Sequence, residues 1–156
     1  MNFPMTIYGK EKIDQELEQL IKVDRENIKV AIAEARALGD LKENAEYHAA
    51  KEKQSHIEGR IGELQNKSAR ANVVDIEKLS GTKIFFGATL TLYDHQKDCS
   101  ITIQIVGEEE AKESSSKISY SSPLGKSLIG HELGDEVTVK APKGDLVYEV
   151  EDVKYI

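Results

Sequence analysis

The sequence predicts an α+β protein in two parts: an antiparallel coiled-coil hairpin over residues 1–75, then a small antiparallel β-sheet domain with one short helix over residues 76–156. Three observations carry this. Apolar residues recur in heptad register on both sides of residues 38–44. A glycine and short polar residues interrupt that register once. Beyond Asp75 the pattern changes to a period-two alternation rich in β-branched and aromatic residues.

The first helix is expected from about Lys10, with Leu17, Ile21, Ile28, Ala31, Ala35 and Leu38 at the core positions of the heptad and Asp24 as a charged intruder. The second repeats the register with Tyr47, Ala50, Ile57, Ile61, Leu64 and Ala71, interrupted by Gln54 and Ser68. Gly39 suits the left-handed residue that ends a helix. A loop this short makes the two helices antiparallel, and roughly thirty residues at about 1.5 Å each give a projection of about 40 Å. The seam is narrow and partly polar, so each helix buries one stripe and keeps its other faces charged. Gly59 and Gly62 fall outside the seam, where the sequence offers no reason for them.

Asp40-Leu41-Lys42-Glu43 lies at the tip and admits two readings. Asp is a strong N-cap and Glu stands three positions later, the spacing of a capping box for the second helix. Alternatively, two exposed carboxylates three residues apart lie within reach of one hard divalent cation. Mg²⁺ demands octahedral oxygen coordination, so a partner would supply the remaining ligands.

In the second part, residues 84–93 and 100–106 read as a strand pair, and residues 136–140 and 146–153 as a hairpin closed by a turn containing Pro142 and Gly144. Ser122-Pro123 has the form of an N-cap followed by proline in the first helical turn, and Gly130 closes a helix of barely two turns. Residues 108–116, acidic and serine-rich, are expected to form a mobile surface loop.

Composition narrows the function. Net charge is −7; residues 1–75 carry 12 basic and 14 acidic side chains, and residues 76–156 carry 9 and 14. Neither half has the cationic excess of a general nucleic-acid binder, so any such contact is local or made inside another protein. No apolar run approaches a membrane span and the N-terminus lacks a signal pattern, so no membrane association and a cytoplasmic location are expected. Cys99, the single cysteine, can form no internal disulfide. His48 and His56 have no neighbouring cysteine or third histidine and point to no metal site.

Ala33-Glu34-Ala35-Arg36 followed by the run from Gly39 to Tyr47 closely resembles the signature of the GreA-type transcript-cleavage factors of bacterial RNA polymerase. Phe86-Gly87-Ala88-Thr89, the run from Ser122 to Gly130 and Gly134-Asp135-Glu136-Val137 are similar to that family's C-terminal domain, in order along the chain. The resemblance implies a coiled coil that enters the polymerase's secondary channel and a C-terminal domain, FKBP-like in fold, that docks at the channel's rim. It implies that Asp40 and Glu43 help hold a second Mg²⁺ jointly with polymerase, with none tightly bound by the factor alone, and that they position the water attacking backtracked RNA. Arg36 and Lys51 match the family's basic patch and would contact the nascent RNA 3′ end, unless they are ordinary solvated charges. Tyr47 is expected to pack at the tip. Ser122 and Pro123 align with the polymerase-docking segment. The factor itself would be a monomer and not an enzyme. Three other readings stand beside this one. A polymerase inhibitor of the same architecture is disfavoured by the lysine inside the acidic tip. A prolyl isomerase is disfavoured by the few aromatics, with no Trp, in residues 76–156. A bland coiled-coil adaptor would give the tip carboxylates no role.

Overall fold

In the computed structural model, which describes residues 2–156, the chain is α+β and separates into two compact units. One is Glu11–Arg70. The other joins the residues up to Lys10 with Ala71–Ile156. The division expected at residue 75 therefore meets a chain whose first strand belongs, by its contacts, with the β-sheet unit.

The helical unit contains most of α1 (Ile7–Gln19), a five-residue π-helical segment (Leu20–Asp24), α2 (Arg25–Ala37) and α3 (Ala45–Ala69). On α3 the buried residues are Ile57, Ile61 and Leu64, in the expected register. The first strand of the coiled coil departs from it. Its buried apolar residues are Ile13, Leu20, Ile28 and Ala35, so buried positions lie seven residues apart on either side of the π segment and eight apart across it. The wider turn takes in one extra residue and lets both flanking stretches face α3. Ile21 is consequently only half-buried. Leu38, expected in the seam, is 67% exposed because α2 has already ended at Ala37. Ala71, expected at the end of the second helix, lies instead in a strand.

Two bidentate ion pairs cross between the strands of the hairpin on either side of the π segment. Arg60 grips Glu16 at 3.1 and 2.9 Å, and Arg25 grips Glu58 at 2.9 Å through both nitrogens. Their forked geometry fixes axial register more than it adds stability, since all four side chains remain partly solvated.

In the other unit β1 (Phe3–Thr6) pairs in parallel with β2 (Ala71–Val74), a pairing between chain segments too distant for the local pattern to announce. A five-stranded sheet follows, in the order β5-β4-β3-β7-β6, built from β3 (Thr89–Asp94), β4 (Cys99–Val106), β5 (Lys117–Ser119), β6 (Glu136–Ala141) and β7 (Gly144–Lys154). Both expected strand pairs are present as antiparallel pairs, β3 with β4 and β6 with β7. The sheet is not wholly antiparallel, because β5 runs parallel to β4. Nor does the first strand begin at Ile84: residues 84–88 turn into the sheet, with Ile84 accepting from the Gly130 amide and donating to the His131 carbonyl. Leu90, Leu92, Ile103, Ile105, Val137, Val139, Val150 and Val153 form the core with Ile84 and Leu128.

A 3-10 turn (Ile76–Lys78) and two short α-helices complete this unit. α5 (Pro123–Leu128) starts as expected, with the Ser122 hydroxyl accepting from the Gly125 amide at 3.0 Å. Any side chain at Gly125 would collide with the Ser119 carbonyl oxygen. The segment expected to be a mobile loop instead opens with α4 (Glu108–Ala111), whose Glu110 is buried. A buried carboxylate demands compensation. The Lys117 ammonium lies 3.0 Å from it and the Thr6 hydroxyl donates to it, which is why so acidic a run packs down. Among the described residues no helix is long and apolar enough to cross a membrane.

Candidate functional site at the hairpin tip

α2 closes with the amides of Leu38 and Gly39 donating to the carbonyls of Ala35 and Arg36 at 3.2 and 3.3 Å. Gly39 takes φ +117°, a conformation costly for any residue with a Cβ, and turns the chain out of the helix. The loop then runs to Asn44. Asp40 folds back on itself, its Oδ1 accepting from the Lys42 amide at 3.0 Å.

The cap of α3 belongs to Asn44 and not to the expected box of Asp40 and Glu43. Asn44 has extended backbone angles, and its Oδ1 accepts from the Tyr47 amide at 3.0 Å. The helix starts at Ala45, so Asp40 is four residues too early to cap it. The choice has a physical basis. Asp and Asn are comparable as N-caps, but Asn carries a donor as well. Asn44 Nδ2 gives that donor to the Ala35 carbonyl at 2.6 Å, a second donor beside the Leu38 amide, so that one side chain both bonds the end of α2 and starts α3.

Further contacts order the loop. His48 Nε2 lies 3.0 Å from the Lys42 carbonyl oxygen, and its ring meets Tyr47 edge-on at 5.6 Å between centroids. Tyr47 is half-buried, in keeping with a packing role. Asp40 and Glu43 are exposed, and together with Leu38, Asn44, Ala45 and Glu46 they line a shallow depression. Neither carboxylate is used in capping.

Hard carboxylate oxygens are the donors Mg²⁺ prefers, so the chemistry of the pair fits that ion; the number of donors does not complete a site. Among the described residues no group of three or more His, Cys, Asp or Glu converges to hold a metal. Arg36 is exposed in the last turn of α2, and Lys51, exposed on α3, donates to Gln54 Oε1 at 3.2 Å.

Ser122 and Pro123 belong to the other unit. The Ser122 hydroxyl is committed twice, donating to the Ser119 carbonyl at 2.7 Å while it caps α5, whereas the Pro123 ring is exposed. Sequence reasoning missed Asn44 itself. The available signal was the place where the apolar pattern resumes: a cap directly adjoins the first helical residue, and Asn44 does so while Asp40 does not.

Residues 3–73 match the family model described as "Transcription elongation factor, N-terminal" of GreA and GreB, and residues 79–155 match "Transcription elongation factor, GreA/GreB, C-term". The chain is 53% identical over 154 residues to transcription elongation factor GreA of Trichlorobacter lovleyi, covering 99% of this chain and 98% of that one. It is 54% identical over 152 residues to the GreA of Hyphomonas neptunium, covering 97% of each. Among solved structures, that of GreA factor homolog 1 of Thermus thermophilus is 28% identical over 99% of both chains, with a TM-score of 0.46.

Proposed function

Because this chain belongs to the GreA/GreB family of transcription elongation factors, we propose that it binds bacterial RNA polymerase, inserts its hairpin tip into the secondary channel and stimulates hydrolysis of backtracked RNA there. The observation that supports this best is the state of the tip carboxylates. Asp40 and Glu43 stand exposed on one loop, spared from capping by Asn44, and remain available to a partner's metal site.

In this reading the chain does not cleave RNA by itself. Asp40 and Glu43 supply oxygens to a Mg²⁺ whose other ligands come from polymerase, and they help hold the attacking water in place. The ion, when bound, stabilises the charge that develops on the oxygens exchanged in phosphodiester hydrolysis. The coiled coil supplies a stiff support that carries the pair to an otherwise enclosed site, so the reacting groups arrive already oriented. Arg36 and Lys51 flank the acidic loop on α2 and α3, and their charge is suited to the phosphates at the RNA 3′ end. The β-sheet unit docks at the channel rim through the segment of Ser122 and Pro123. The factor works as a monomer in the cytoplasm, and hydrolysis leaves a new 3′ end from which synthesis resumes.

The test is RNA shortening in stalled elongation complexes, with polymerase and the purified chain supplied separately and together. Rapid Mg²⁺-dependent shortening is expected only when both are present. Hydrolysis by the chain alone would reverse the assignment of roles. Arrest of synthesis without shortening would make the chain an inhibitor.

A further inference from the structure

Asn44 joins the end of one helix to the start of the other through a single carboxamide. Its Nδ2 donates to the Ala35 carbonyl at 2.6 Å and its Oδ1 accepts from the Tyr47 amide at 3.0 Å. Ala35 is 3% exposed, so the first bond is anchored in the packed seam and not in the loop. Few side chains can do both. Asp has the acceptor but presents a second oxygen to the carbonyl, Ser is too short to span the two sites, and Gln is a poor cap. The bridge closes a ring of backbone from residue 35 to residue 47, and Asp40 and Glu43 lie on that ring. Within it, the Asp40–Lys42 contact and the approach of His48 to the Lys42 carbonyl make local links. Neither of these ties α2 to α3.

We infer that Asn44 is the positioning residue of the tip: by tethering the end of α2 to the start of α3 it holds Asp40 and Glu43 in one arrangement before they meet polymerase. It acts on RNA cleavage through those carboxylates, without touching RNA or metal itself. This inference rests on the tip being the working end, as proposed above. A loop already ordered loses less freedom when it enters the polymerase site, and that saving appears in the maximal rate and not in docking.

Asn44→Ser keeps an oxygen that caps α3 and removes the tether; Asn44→Ala removes both. Three measurements on the full-length chain separate the roles: thermal unfolding, amide hydrogen exchange of Leu38, Gly39 and Lys42 in the free protein, and cleavage in backtracked complexes as the factor is titrated. For Asn44→Ser the fold should persist with an unfolding midpoint lowered by only a few degrees, while exchange at those amides speeds up and maximal cleavage falls, each about tenfold for the loss of one well-anchored hydrogen bond. The half-saturating factor concentration should stay within about twofold, since docking does not depend on the tether. Asn44→Ala should show the same losses and also faster exchange at Tyr47. Unchanged exchange in Asn44→Ser overturns the tether. Faster exchange with full maximal cleavage overturns the positioning role. A raised half-saturating concentration at unchanged maximum would make Asn44 a docking contact, and overturns it as well. Failure of the underlying reading looks different: full cleavage by the Asp40→Asn, Glu43→Gln double variant would remove the carboxylates from the reaction, and with them any positioning role in cleavage.

Discussion

Asp40 accepts from the Lys42 amide through one oxygen, and asparagine offers that same oxygen without the charge. Glu43 is exposed and outside both helix caps. Asp40→Asn and Glu43→Gln should therefore each change stability by less than about 0.5 kcal/mol, the usual range for surface substitutions away from a structural feature. Loss of the negative charge should nevertheless abolish most stimulated cleavage, because a neutral amide is a poor ligand for a hard cation. Thermal unfolding beside cleavage rates checks both halves, and partial recovery at raised Mg²⁺ is expected. Glu110 presents the opposite case, a carboxylate spent wholly on structure. Its side chain is 4% exposed, with Lys117 at 3.0 Å and the Thr6 hydroxyl donating to it. Glu110→Ala leaves the Thr6 hydroxyl without its acceptor and the Lys117 ammonium with Glu113 alone, and should cost about 1–3 kcal/mol in urea unfolding. Burial is the largest influence on Lys117 and opposes its charge, yet the hydrogen bonds and charges of Glu110 and Glu113 together raise its pKa above 10.5. The folded state thus holds this proton more tightly than the unfolded chain does. The resulting stabilisation is complete below pH 10.5 and is lost as pH rises through the raised value. Lys117→Met should remove that alkaline component from the pH dependence of unfolding.

At the scale of elements, the hairpin keeps two features that its coiled coil does not require. Gly59 and Gly62 lie within α3, and a Cβ at either would meet nothing within 4 Å. Gly59→Ala and Gly62→Ala should each stabilise the helical unit by about 1 kcal/mol, through helix propensity and a less free unfolded chain, as thermal unfolding would register. The π segment is the second feature. Because buried positions lie seven residues apart on both sides of it and eight across it, removing one residue there restores a continuous α-helix with the same face buried. Deletion of Val23, which is 40% exposed, should leave a folded hairpin of nearly unchanged stability. Deletion of Lys29, beyond the segment, rotates Ala35 by about 100° out of the seam and should cost several times as much. Circular dichroism through the two melting transitions distinguishes them.

For the whole molecule, the division of the chain matters more than its length. The two family models meet between residues 73 and 79, whereas contacts place the residues up to Lys10 with the β-sheet unit. β1 brings Thr6 to Glu110, and a Cβ on Gly107 would lie 2.8 Å from the Pro4 carbonyl oxygen, a measure of how closely the first strand approaches the segment after β4. A fragment of residues 76–156 lacks β1 and β2 and loses the Thr6 hydroxyl from a buried carboxylate. It should unfold at lower urea than the same fragment preceded by residues 1–10 and 71–75 on a flexible linker, by about 1–2 kcal/mol for the lost hydrogen bond and packing. Equal midpoints would show that the first strand adds nothing to the sheet domain.

The sequence by itself determined the α+β class, the position of the hairpin tip, the start of α5 at Ser122 and the two antiparallel strand pairs. Each of these is written locally, in a period of three and a half or two residues, a glycine at positive φ, or a cap beside a proline. Tertiary structure alone decided the rest. The pairing of β1 with β2, the parallel seating of β5 and the burial of Glu110 join residues far apart in the chain, and no local period encodes them. The π segment depends on which face α3 offers, so a strict heptad placed Ile21 in the seam where Leu20 is buried, and Leu38 falls outside the seam because α2 ends at Ala37. At the tip, Asp40 and Asn44 were both acceptable caps by residue type. The carbonyl of Ala35, brought within reach only by folding, made the donor on Asn44 decisive and left the carboxylates exposed.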